Sequence, residues 1–308
     1  MALPSAGNPI SLQQVNVELD LTATATINMG GSNVRTLFDV SSGAIDMSDG
    51  YGKSNNVAVT ASAASSANLK TLFDNASSGS WADNIAKVYT INSGTTMGIL
   101  TAPTSMGGTL VINNSGNIQG TAGSAGSSGA GGAAGDAMTV QSTGITINML
   151  SGSTLSGGGG GGGKGGTGGN GTRYQCAGSS VGSCANAGGC QEDESSYYFP
   201  SSGGTGGAGG IGQGYGQSQA NGSAGSEGSQ HSGQEQANAG DGGTGGNGGT
   251  FGNAGATGAT GGNGGSYCGS NGSAGSSGGA AGRAVTFSGV SAYTIIGTNS
   301  GTINGAYT

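Results

Sequence analysis

Apolar and polar positions alternate in three stretches of the chain: "GGTLVINNSGNIQG" (107–120), "AMTVQSTGITINMLSGSTLSG" (137–157) and "AVTFSGVSAYTIIGTNSGTINGAYT" (284–308). A period of two is the pattern of a strand that buries one face, and Asn-Asn-Ser-Gly supplies turn chemistry inside the first stretch. These stretches predict short β-strands with enough apolar side chains for a small core. Upstream, "SANLKTLFDNA" (66–76) places Leu69, Leu72 and Phe73 at helical spacing, and "AKVYTINSGTTMGIL" (86–100) reads as strand and turn. Trp81, the one tryptophan, fits a core position better than a ligand site. Residues 1–106 therefore read as a separate N-terminal α+β module of about the ~100 residues of a small domain. It divides into a segment 1–54 and a small α+β part 55–106.

Between the alternating stretches the apolar pattern gives way to glycine. Residues 1–119 hold 12 glycines, residues 120–282 hold 58 and residues 283–308 hold four. Composition alone would suggest low complexity or disorder, but the glycines keep a phase of three. The longest run is Gly240, 243, 246, 249, 252, 255, 258, 261 and 264. A flexible linker gains nothing from such a phase. Collagen shares the period but needs proline in the other positions, and Pro200 is the one proline in 120–282. The remaining backbone with three residues per turn is a bundle of glycine helices of polyproline II type, called polyglycine II. A Gly-x-x segment offers one bare face, Gly-Gly-x two and poly-Gly three, and bare faces let neighbouring backbones exchange the hydrogen bonds that a buried chain requires. Gly157, Gly158, Gly159, Gly160, Gly161, Gly162 and Gly163 form an unbroken run, bare all round, and are expected at the bundle core. The predicted fold is mainly irregular and β: a polyglycine II bundle, or Gly-rich sandwich, over 107–308, clamped by the short strands of 107–120, 137–157 and 284–308. If its segments run up and down, the inserts 172–202, 229–239 and 266–271 emerge at one end, and those around Tyr215 and Phe251 at the other.

Charge and chemistry narrow the function. Seven Lys or Arg are scattered singly against 14 Asp or Glu, without the clustered cations that nucleic-acid binding needs. No apolar run approaches a membrane span, and "MALPSAGNPI" has neither the basic region nor the apolar core of a signal peptide, so no membrane insertion and synthesis in the cytosol are expected. "DGYGKS" (49–54) ends like a phosphate-binding loop, but Met47 stands where that motif needs glycine. His231 is the sole histidine, "EDE" (192–194) reads as solvated charge, and no acid, base or nucleophile pairing appears. Neither an enzyme nor a metal or cofactor is expected. Cys176, Cys184, Cys190 and Cys268 lack the spacing of structural zinc motifs. Their even number, three in one insert, points to disulfides, with free thiols the alternative, and four cysteines allow three pairings. Tyr174, Tyr197, Tyr198, Phe199 and Tyr267 lie in the inserts at the same end as His231. Tyrosine on loops held by a rigid scaffold makes a recognition surface, and a glycine core has no room for these rings.

The chain resembles the Gly-rich distal adhesins and tail-tip receptor-binding proteins of tailed bacteriophages, including the separate adhesin at the end of T-even-like long tail fibres. The residues that carry this are "VINNSGNIQG" (111–120), "GSAGSSGAGGAAGDAM" (123–138), "ITINMLSGSTLSGGGGGGG" (145–163), "GAAGRAVTFSG" (279–289) and "NSGTINGAYT" (299–308). The resemblance implies a polyglycine II bundle framed by strands, with tip loops that bind a host outer-membrane protein or surface glycan. Those loops would be 172–202, 229–239 and 266–271. The N-terminus departs from the T-even adhesin's Trp-rich attachment module; "NPISLQQVNVELD" (8–20) and "SSGAIDMSDGYGKS" (41–54) are similar instead to a segment of other phage tail proteins. Residues 1–106 would then dock on a phage tail or tail-fibre protein, and the chain would sit at the distal tail of the virion, as a single copy on a trimeric fibre or as a homotrimer. Two rivals share the composition: a surface-active protein of the ice-binding kind, and a Gly-rich cell-wall protein.

Overall fold

The structure, a computed structural model, describes residues 3–19, 21–53, 55–77, 79–176, 179–181, 196–230, 238–265, 269–292 and 295–307, with backbone alone over 173–199. The first residues form a small helical unit. Helix α1 (Leu12–Glu18) starts at Ser11, whose hydroxyl accepts from the Gln14 N–H while the Gln14 side chain accepts from the Ser11 N–H, a reciprocal cap. Helix α2 (Ser32–Phe38) buries Val34, Leu37 and Phe38 against Leu3 and Val15. Main-chain bonds from Leu3 N–H to Lys53 (2.8 Å) and from Gly52 N–H to Pro4 (2.9 Å) close the unit on itself.

The next residues build a strand core of two sheets. One contains β1 (Asn56–Thr60), β3 (Ala86–Ile91), β5 (Thr109–Asn114), β8 (Ile145–Met149) and β14 (Ile296–Asn299), all parallel and in that order. The other carries β2 (Ala64–Asn68), β4 (Thr96–Ala102), β6 (Asn117–Gln119), β9 (Thr154–Ser156) and β15 (Thr302–Asn304), again parallel. Each strand of the first sheet is followed by a turn and a strand of the second, so the chain makes a stack of arches, not hairpins. Asn114 closes one arch: its Oδ1 accepts from Gly116 N–H (3.0 Å) and its Nδ2 donates to Thr154 O (3.1 Å). The inward positions of both sheets, among them Tyr89, Ile112 and Ile147 side by side in register, form one cluster. Helix α3 (Leu69–Ala76) adds Leu69 and Phe73 to it, and Trp81 is fully buried there.

This core moves the boundary expected at residue 106. Strands β3 and β4, which carry β1 and β2 on their other edges, pair with β5, β6 and β7 (Met138–Val140), and one buried cluster takes in residues from Leu69 to Ile295. Residues 56–102 cannot bury their apolar face alone. They are the first arches of the same core, and the unit with its own core ends near residue 53.

The second sheet splits along β4. Thr96 and Met97 pair with β6, whereas Leu100, Thr101 and Ala102 pair with β7. Next to these, β9 pairs with β6, and β13 (Val285–Phe287) pairs with β7. Thus β6 and β7 lie in line, as do β9 and β13, and the glycine-rich chain 120–137 and 157–284 leaves and re-enters through the gap. Outside the sheet, Gly157–Gly163 are buried. Their N–H groups address three neighbours in rotation. Gly158, Gly161 and Lys164 donate to Gly135, Gly132 and Gly129; Gly159, Gly162 and Gly165 donate to Gln213, Gly210 and Gly207. Gly160, Gly163 and Gly166 donate to Asn253, Ala256 and Ala259, and all nine bonds measure 2.7–3.0 Å. The carbonyls accept from three further segments in the same rotation, Gly159 from Gly123, Gly160 from Gly249 and Gly161 from Gly279. Six segments therefore surround one. A Cβ on Gly161 would run into the Ser124 carbonyl, and one on Gly160 or Gly162 into the carbonyls of Gly279 or Gly246.

The same geometry explains where the glycine run ends. Gly158, Gly161, Lys164, Thr167 and Asn170 share a row that faces the hairpin 120–135, which turns back near residues 127–129. Past that turn the row carries side chains, and the N–H groups of Thr167 and Asn170 donate to the hydroxyls of Ser273 and Ser270 instead (2.8 Å each).

Substituting Gly161→Ala should destabilise the protein by about 3 kcal/mol or more, whereas Gly129→Ala, with open space at its Cβ, should stay within about 0.5 kcal/mol; thermal unfolding of both variants is the check. Tyr89 is fully buried, its hydroxyl has no hydrogen-bond partner among the described residues, and burial pushes its pKa up to about 12. Because the unfolded chain ionises this phenol first, stability should fall as pH rises from the ordinary tyrosine value towards 12. Tyr89→Phe should remove that alkaline loss and raise stability by about 1 kcal/mol, read by denaturant unfolding at pH 7 and above pH 10.

Candidate functional site

The bundle segments alternate in direction. At the core end, Tyr215 N–H donates to Gly120 (3.0 Å) and Gly252 N–H to Gly157 (2.8 Å), so the turns that carry Tyr215 and Phe251 abut the strands. Left-handed glycines, Gly216 (φ 66°) and Gly252 (φ 69°), make these turns. The other end, remote from the strand core, gathers the bases of all three inserts. Ser229 N–H donates to Ser202 and Ala239 N–H to Ser229 (3.0 Å each), and Gly265 N–H donates to Asn238 (2.7 Å). Ser270 N–H donates to Asn170 O (2.9 Å), and the Asn170 side chain accepts from Gly203 N–H (3.0 Å). Insert roots far apart in sequence are thus locked by main-chain bonds at one end of a rigid support.

The insert 172–202, expected as a loop, holds a three-stranded antiparallel sheet in the order β11 (Ser179–Val181), β10 (Gly171–Cys176), β12 (Ser196–Ser201). The reason is backbone pairing: β10 grows from the end of the central segment and β12 returns beside it, with every residue from Gly171 to Cys176 in register with Ser201 to Ser196. Tyr174 stands opposite Tyr198, Gln175 opposite Tyr197 and Arg173 opposite Phe199. Cys176 pairs in register with Ser179 and Ser196. His231, Tyr267, Cys184, Cys190 and Cys268 lie outside the described residues, as does "EDE" (192–194). Among the described residues there is no group of three His, Cys, Asp or Glu side chains placed to hold a metal, and no helix is long and apolar enough to cross a membrane.

Sequence reasoning missed the residues that fasten the bundle surface. Asp241, Asn247 and Asn263 accept through side-chain oxygens from the N–H groups of Gly228, Gly222 and Gly272 (2.9, 3.0 and 3.0 Å), as Ser226 Oγ does from Thr205 N–H (2.7 Å). For Asp241, Asn247 and Asn263 the signal is a short polar side chain in the one non-glycine position of a Gly-Gly-x repeat, and for Ser226 a position of a Gly-x-x repeat, where the oxygen reaches an adjacent backbone.

Neither a protein-family model nor a curated protein sequence matches the chain. Among solved structures it is similar to the gp37–gp38 adhesin tip complex of the bacteriophage S16 long tail fibre, with a TM-score of 0.40 and 18% identity over 98% of this chain and 99% of that one.

Asn170→Ala should free the Gly203 N–H at the root of β12. We expect about 1 kcal/mol less local protection, seen as faster amide exchange at Gly203 with that of Gly161 unchanged.

Proposed function

We propose that this chain is an adhesin of a bacteriophage tail fibre or tail tip, which recognises a host outer-membrane protein or surface glycan through the tip inserts. In this reading the glycine segments form a polyglycine II bundle, the rotation of hydrogen bonds around Gly157–Gly163 being what that helix type requires. The central segment 157–170, at a rise of ~3.1 Å per residue, spans ~40 Å and acts as a stalk. The helical unit of residues 3–53 joins the chain to a tail or fibre protein, and the work is binding, without catalysis, metal or cofactor.

The observation that carries the reading is the convergence of three insert roots at the bundle end remote from the core. Rigid scaffolds that present variable segments at one end are how proteins build adaptable recognition surfaces. Tyr174, Tyr197, Tyr198 and Phe199 fall in this region, and tyrosine gives large contact area at low entropic cost.

Exchange of residues 172–202 for those of a protein from a phage with another host should redirect adsorption to the new host while leaving thermal unfolding unchanged. Unchanged adsorption by a folded exchange variant would remove the site from the tip.

A further inference from the structure

Where the helical unit meets the strand core, a half-open cleft of about 520 Å³ is left, within the roughly 300–1,000 Å³ of small-molecule sites, which favour such junctions. Asn33 and Thr36 of α2 face Asn55, Asp83 and Asn84 of the strand core across it. The side chains of Thr36, Asn55, Asp83 and Asn84 make no hydrogen bond with any described residue, and Asn33 has only a long one from Ser32 (3.3 Å). Leu37, Val57 and Ile85 supply an apolar floor. The wall at residues 83–85 is fixed from behind. Buried Lys87 donates its ammonium hydrogens to the carbonyls of Asp83 (2.9 Å), Ile85 (3.2 Å) and Gly107 (2.7 Å).

We propose that this cleft binds a neutral saccharide. Amide side chains can both donate and accept, and a carboxylate accepts from paired hydroxyls, which suits a polyol. The apolar floor suits the C–H face of a sugar ring. Asp83 is the charged side chain among the lining residues, and the nearby Lys87 ammonium is buried behind the wall and taken up by main-chain carbonyls, so the cleft is set against anionic sugars. The site is separate from the tip and does not depend on the tail-adhesin reading.

The test is titration of the full chain with maltopentaose, laminaripentaose and mannopentaose, followed by the NMR signals of the Asn33 and Asn84 side-chain amides. Saturable shifts are expected with at least one of them. The double variant Asn33→Ala, Asn84→Ala should weaken binding by about tenfold or more, as loss of ligand hydrogen bonds does, at an unchanged melting temperature. Exchange of residues 172–202 should leave sugar binding as it was, which keeps the outcome apart from host recognition. No saturable shift with any of the three sugars, a response to oligogalacturonate alone, or full affinity in the folded double variant would overturn the proposal.

Discussion

A backbone withdrawn from water must find partners for every N–H and C=O, and in the bundle those partners are other backbones on all sides. That is possible only where no Cβ keeps the chains apart. Gly157–Gly163 meet the condition all round, and six other segments are held by the bonds they exchange with this stretch. Glycine serves here through its missing volume. Among the described residues of 157–284, left-handed φ occurs at the turn glycines Gly216 and Gly252 and at no glycine within a bundle segment. Ordering so many glycines is entropically costly, and dense hydrogen bonding is what the segments have to offset it.

The strand core is held by the opposite means. Its cohesion is burial of Trp81, Tyr89, Phe73 and a row of aliphatic side chains between two sheets, driven by removal of apolar surface from water. The two kinds of cohesion meet at Gly120 and Gly157, where β6 and β9 run directly into the bundle. Gly120 N–H donates to Ser156 (2.8 Å), and the same pairing continues through Gly123 to Gly159 and Gly126 to Gly162. A continuous ladder thus couples the bundle to the core without a flexible joint.

Much of this was legible in the sequence where a local period decides the outcome. The alternation in 107–120, 137–157 and 284–308 marks strands, Leu69, Leu72 and Phe73 mark α3, and the phase of three separates the glycine region from a linker. The domain boundary was not legible, because parallel arches pair residues through long connections, as Ala86 does with Thr109, and no local pattern encodes that partnership. The insert 172–202 was read only in part. "YQCAGSS" and "SSYYFPS" were visible as Cys- and Tyr-bearing, but their antiparallel register comes from the bundle that brings both ends of the insert together. The roles of Asn170, Asp241 and Asn247 also depend on neighbours that adjoin them only in the packed bundle.

The line shared by β9 and β13 across the split sheet has a consequence for how such a chain can vary. The core sees the same two strand ends whatever lies between them, so the material between is free to lengthen or shorten. Within a bundle segment the change must come in whole repeats, since losing one or two residues would rotate every later side chain into a neighbour's carbonyl. Nine nucleotides, not three, are then the natural step for insertions and deletions in this part of the gene.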